Sequence, residues 1–144
     1  MIFSAHCYLL MSAISGLLSV ALGAFGAHGL KTVVSPNMLA AYQTGVQYQF
    51  IHTLALLALA VFMLSSVAKS DAMENMMNKI KWSANLMFVG IVLFSGSLYI
   101  MTIMSVSGGF PVWLGLITPV GGLAFIMAWF LIGYSAFKLP AEEK

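Results

Sequence analysis

Apolar positions along the chain gather into four long blocks, about residues 8–27, 46–68, 82–105 and 112–137, parted by short polar breaks. Each block has at least the roughly 20 residues that an α-helix needs to cross a hydrocarbon core. The breaks carry helix signals of their own. Ser35-Pro36-Asn37 offers a hydroxyl cap followed by proline at the first helical position, so a helix is predicted to begin near Pro36, outside the hydrocarbon, and to run on into the second block. Lys69 to Lys81 holds the only mid-chain cluster of charges, and Asp71 and Glu74 within it have capping-box spacing. A third helix is therefore expected to start there and enter the membrane near Trp82. Ser107-Gly108-Gly109-Phe110-Pro111 reads as a turn, and Lys138 to Lys144 as a polar tail. No internal repeat of about 20 to 50 residues stands out.

Composition narrows this pattern to one class. Hydrophobic residues make up 61% of the 144 residues and charged residues 7%, against about 25% charged in soluble domains. So few charges cannot cover a water-facing surface. The fold class that follows is all-α: one integral membrane bundle of four transmembrane helices over residues 1–144, with no room for a separate soluble catalytic domain. Met1 to Leu10 has no Lys or Arg, so the first block is read as a retained span, although Ala24-Phe25-Gly26-Ala27 imitates a cleavage site.

Charge then gives an orientation. Lys69, Lys79, Lys81, Lys138 and Lys144 share the side of the middle loop and both termini, and the other side has Lys31 alone, which places the termini in the cytoplasm. Tyr8, Trp82 and Trp113 fall where amphipathic rings favour the interface. The net charge of +2 carries no nucleic-acid footprint, and all the basic residues are Lys, so no bidentate guanidinium fork exists. Cys7 is alone, which excludes an intrachain disulfide and CxxC chemistry; it is expected to be a small core residue.

Chemistry is sparse inside the spans. Ser12, Gly16, Ser19, Gly23 and Gly26 recur at spacings that place them on one stripe of the first helix. In lipid such a stripe lets another backbone approach closely, within the chain or in a second copy. No Asp, Glu, Lys or Arg falls inside a predicted span, which disfavours proton-coupled carboxylate transport. HExxH, paired Asp and GxSxG are missing too, which disfavours hydrolytic chemistry.

Neutral polar residues remain. Tyr42, Gly45, Gln49, His52 and Thr53 lie within about 100° of one another around the second helix. Tyr48 and His52 are i, i+4 neighbours, as are Ser95 and Tyr99, with Ser97 nearby. His28 ends the first span, Thr118-Pro119 opens the fourth, and Pro119 with Gly121-Gly122 predicts a kink or very close packing. With the termini inside, all of these occupy the external half. Three readings stand: a structural hydrogen-bond set, a binding or transport site for a small solute or lipid head group, and a cofactor held by His28 and His52. The last has a thin ligand set with no Cys or carboxylate. His6 lies about 33 Å along a continuous helix from His28 and is read as interfacial.

Four strings then carry a resemblance: Gly23-Ala24-Phe25-Gly26-Ala27-His28-Gly29-Leu30, Tyr42-Gln43-Thr44-Gly45-Val46-Gln47-Tyr48-Gln49-Phe50-Ile51-His52, Phe94-Ser95-Gly96-Ser97-Leu98-Tyr99 and Ile117-Thr118-Pro119-Val120-Gly121-Gly122. In that order they resemble the family called domain of unknown function 423, small inner-membrane proteins similar to the eukaryotic transmembrane protein 256. The resemblance implies a bacterial inner-membrane protein and supplies no activity or cofactor. It draws attention to His28, Gln49, His52, Tyr99 and Thr118 as the candidate binding cluster. The expectation is a non-enzymatic structural or accessory membrane protein with no cofactor and no metal site. The bilayer, and a second copy or another membrane protein, are its partners. A small-solute or lipid-binding transporter is the alternative, and a His-liganded cofactor protein the third reading.

Overall fold

A computed structural model describes residues 3–66 and 71–138, the side chains of residues 71 and 72 excepted. Helix α1 spans Ala5–Phe25 and continues through a π-helical turn, Gly26–Leu30. Helix α2 spans Pro36–Ser65. Helix α3 (Asp71–Gly90), a second π-helical turn (Ile91–Ser95) and α4 (Gly96–Ser105) form one long rod. Helix α5 spans Val112–Phe137. Four rods are thus long and apolar enough to cross a membrane, Ala5–Leu30, Pro36–Ser65, Met73–Ser105 and Val112–Phe137. The protein is all-α and of the multi-pass membrane kind.

Local chemistry sets the helix ends. The Ser35 hydroxyl accepts from the Met38 backbone N–H at 3.3 Å, and Pro36 at the first position loses no intrahelical bond. Ser4 caps α1 in the same way through the Cys7 N–H at 3.4 Å. After α4 the chain reverses at Gly108 and Gly109, whose φ angles of +104° and +124° suit residues without a Cβ. The expected Asp71–Glu74 capping box and the charges of Lys69 and Lys144 lie outside the described side chains.

Packing runs α1 on α2, α2 on the third rod, and the third rod on α5. The small-residue stripe of α1 is the face turned to α2: an ideal Cβ on Gly16 would sit 3.6 Å from Thr53 Cγ2, and one on Gly23 3.4 Å from Val46 Cγ1. A Cβ on Gly26 would overlap the Tyr42 ring at 2.7 Å. A buried apolar cluster joins Tyr8, Leu56, Ala60, Met76, Met77, Ile80 and Ala84 at the end near the middle connection. Large apolar side chains such as Leu17, Val112 and Leu123 cover the outside, as expected where lipid replaces water.

Two sequence expectations are overturned here. Tyr8 is 0% exposed, its hydroxyl donating to Asn85 Oδ1 at 2.9 Å and reaching the Lys81 carbonyl at 3.2 Å. It is a core residue joining α1 to α3, because Asn85 gives its hydroxyl a partner that lipid lacks. Cys7, expected in the core, is exposed, because burying Tyr8 and Ser12 turns the neighbouring position outward.

Candidate functional site

One polar face of α2 points inward, while Gln43, Thr44 and Gln47 are exposed. Tyr42, Gly45, Gln49, His52 and Thr53 are buried, since an unpaired polar group facing hydrocarbon is costly. Gln49 is the hub of a chain of bonds across three helices. Its Nε2 donates to the Ser15 carbonyl at 2.9 Å and reaches Ser15 Oγ at 3.4 Å. That carbonyl can only accept, so the amide orientation is set and Oε1 receives the Tyr99 hydroxyl at 2.7 Å. The Ser15 hydroxyl closes on that of Thr53 at 2.6 Å. Gly45 lets Tyr99 in: a Cβ there would stand 3.0 Å from Tyr99 Cε1 and 3.3 Å from Leu98 Cβ. The Tyr42 ring packs against that of Tyr99 at a tilt of 49°, centroids 4.9 Å apart, and its hydroxyl donates to the Leu22 carbonyl at 3.0 Å.

His52 turns away from this chain toward α5. Its Nδ1 lies 2.7 Å from the Tyr48 carbonyl, an acceptor only, so Nδ1 carries the hydrogen and Nε2 presents a lone pair. The Trp129 indole N–H donates to that Nε2 at 3.3 Å, near the long limit for such a bond. The imidazole lies flat on Phe125, centroids 3.5 Å apart at 14°. Tyr48 stacks on Phe94 at 4.6 Å and on His52 at 5.7 Å. Beside these rings a cavity of about 480 Å³ is lined by Tyr48, His52, Phe94, Gly122, Phe125 and Trp129. A smaller gap of about 280 Å³ lies between α1 and the third rod, with Ser15 and Gln49 in its lining.

The second π-helical turn fits the third rod to both neighbours. The inserted residue of such a turn breaks the 3.6-residue register, and here Phe94 and Ser95 take their places between α2 and α5. A Cβ on Gly121 would overlap the Phe94 backbone nitrogen, so α5 meets this turn backbone to backbone. Pro119 sits inside α5 two residues earlier, and the Thr118 and Ser97 hydroxyls are 2.7 Å apart. Ser95, 1% exposed, is the one buried side-chain oxygen among the described residues that no hydrogen bond satisfies.

Of the five candidate residues, Gln49 and Tyr99 are bonded directly, Thr118 pairs with Ser97, and His52 belongs to the aromatic cavity. His28 is exposed in the first π-helical turn. Because Gly16 lies level with Thr53, His28 stands roughly 18 Å further along the axis than that level. The two histidines are not brought together. Among the described residues no three His, Cys, Asp or Glu side chains converge. Sequence reasoning missed Ser15, Phe94, Phe125 and Trp129. The last two had a legible signal, since Gly121, Phe125 and Trp129 recur every fourth residue on one face of α5.

No solved structure matches the chain. Curated relatives do. It is 42% identical over 131 residues to the UPF0382 membrane protein YwdK of Bacillus subtilis, covering 91% of this chain and 96% of the relative. A UPF0382 membrane protein of Haemophilus influenzae is 40% identical, covering 91% and 94%. The UPF0382 inner membrane protein YgdD of Escherichia coli K12 is 39% identical over 134 residues, covering 93% and 92%. Residues 22–122, which hold the small-residue stripe from Gly23 on, the α2 polar face, the π-helical turns and Gly121, match the family described as protein of unknown function (DUF423). The chain belongs to that family of membrane proteins.

Proposed function

We propose that the protein is a non-enzymatic accessory component of the inner membrane, both termini in the cytoplasm, which associates with a second copy or another membrane protein. The observation that carries this reading is the closed chain Tyr99–Gln49–Ser15–Thr53, whose shortest links are 2.7, 2.9 and 2.6 Å. Each of these polar side chains is bonded to another element of the bundle. They hold three helices together and offer no array of free polar groups to a water-soluble substrate. Orientation rests on the lysines: Lys79, Lys81 and Lys138 stand at the end of the middle connection and Lys31 at the other.

Cysteine accessibility tests both parts. In a Cys7→Ser background, Ser15→Cys should stay unreactive toward a water-soluble thiosulfonate in native membranes. Rapid modification would reveal a water-filled path to Gln49 and favour the transport reading. In the same background a cysteine at Thr32 should label from outside intact cells and one at Ser66 should not; the reverse pattern would invert the orientation.

A further inference from the structure

The aromatic cavity on the other side of α2 goes beyond that reading. We infer that the space between α2, the second π-helical turn and α5 is a binding site for a neutral, lipid-soluble ring bearing a hydroxyl, of the hydroquinone type.

The walls select for a flat apolar body. Tyr48, His52, Phe94, Phe125 and Trp129 all line the space, and aromatic faces and edges pack best on another ring. The volume of about 480 Å³ lies within the range of small-molecule sites. Among the described residues no Asp, Glu, Lys or Arg lines it, so a charged ligand finds no counter-charge in this lining.

The polar atoms at the cavity select for a hydroxyl. His52 Nε2 can only accept, because the Tyr48 carbonyl fixes the hydrogen on Nδ1. The Trp129 indole can only donate. The two are joined by one long bond of 3.3 Å, which costs little to replace. An oxygen that accepts from Trp129 and donates to His52 satisfies both groups better than they satisfy each other. A phenolic hydroxyl does this; a quinone carbonyl can only accept and leaves Nε2 unmatched. The Tyr48 hydroxyl, on a residue 40% exposed, has no hydrogen-bond partner among the described residues and can serve a second ring oxygen. Access is from the bilayer, since Trp129 is 48% and Ile126 63% exposed.

Gly122 supplies the control. A Cβ there stands 3.8 Å from the Phe94 ring, an ordinary contact, so Gly122→Ala keeps the fold while narrowing the space and Gly122→Leu fills it. In lipid nanodiscs, a Trp82→Phe, Trp113→Phe protein reports through Trp129 alone. Titration with 2,3,5-trimethylhydroquinone under anaerobic conditions should change its emission saturably. The response should be at least tenfold weaker with the matching benzoquinone, weaker in Gly122→Ala, and lost in Gly122→Leu and in His52→Phe. Thermal melting without ligand identifies any variant that fails to fold, in which case Gly122→Ala decides. A non-saturable response would overturn the site. So would equal binding of quinone and hydroquinone, a matching response to decan-1-ol, or indifference to Gly122→Ala. The closed Gln49 chain is unaffected by any of these outcomes.

Discussion

Removing the Gln49–Tyr99 bond should cost the bundle a coupled, measurable stability. Tyr99→Phe deletes one hydroxyl and its 2.7 Å bond to Gln49 Oε1. Interhelical hydrogen bonds in lipid average about 0.6 kcal/mol and reach about 1.7, and the short length favours the upper half, so about 1 kcal/mol is expected. Gln49→Met keeps the side-chain length, loses the same bond, and also frees the Ser15 carbonyl held at 2.9 Å; about 2 kcal/mol should go. If the two residues share one bond, the double variant loses it once, and its cost is about 2 kcal/mol rather than the additive 3. The assay is SDS titration of the folded protein in phospholipid mixed micelles, run for all four members of the cycle. A coupling below about 0.3 kcal/mol, the ordinary scatter of additivity, would refute the bond. So would a Tyr99→Phe variant more stable than the parent.

Three more outcomes follow from close contacts. Gly121→Ala forces a Cβ onto the Phe94 backbone, which cannot swing aside as a side chain can, with Phe94 Cα and Cβ both 2.8 Å away; about 3 kcal/mol or outright loss of folding is expected, read as the midpoint of thermal aggregation in detergent. Gly45→Ala meets a ring and a side chain at 3.0 and 3.3 Å and should cost about 1 kcal/mol. Most of that loss should vanish in a Tyr99→Leu background. Tyr8→Phe should cost about 1 kcal/mol through its lost bond to Asn85. Tyr8→Trp should cost more, because the site is closed; an interfacial ring would tolerate Trp at least as well, so equal stability of Tyr8→Trp and the parent would argue against the buried position.

The inward face of α2 was legible because a membrane helix sends its polar residues to protein contacts. Tyr42, Gly45, Gln49, His52 and Thr53 were grouped by angle, and all five are buried. The same logic made the α1 stripe readable, and Ser35-Pro36 announced the start of α2. Partner choice was not legible. Nothing in the spacing of α2 says that Gln49 meets Ser15, or that His52 meets Trp129, because those pairs depend on how far one helix slides along another. The π-helical turns were invisible for a related reason. Gly26–Leu30 (Gly-Ala-His-Gly-Leu) and Ile91–Ser95 (Ile-Val-Leu-Phe-Ser) share no residue pattern that marks an extra residue per turn. Tyr8 misled because a ring near a span end reads as interfacial until a partner such as Asn85 is placed opposite.

The contrast between Gln49 and His52 separates framework from site. Both sit on the buried face of α2, but Gln49 ends in bonds of 2.7 and 2.9 Å to other helices. His52 has one short bond, to a carbonyl of its own helix at 2.7 Å, and one long bond across to α5 at 3.3 Å. A position set by packing alone could hold phenylalanine, on top of Phe125, with no ring nitrogen to satisfy. An imidazole whose donor is tied down and whose acceptor is held by one long bond is the group that the proposed hydroquinone site would use. The weaker bond marks the place where the bundle can give up an internal contact at least cost, so function is to be sought at His52 and Trp129 before Gln49 and Tyr99.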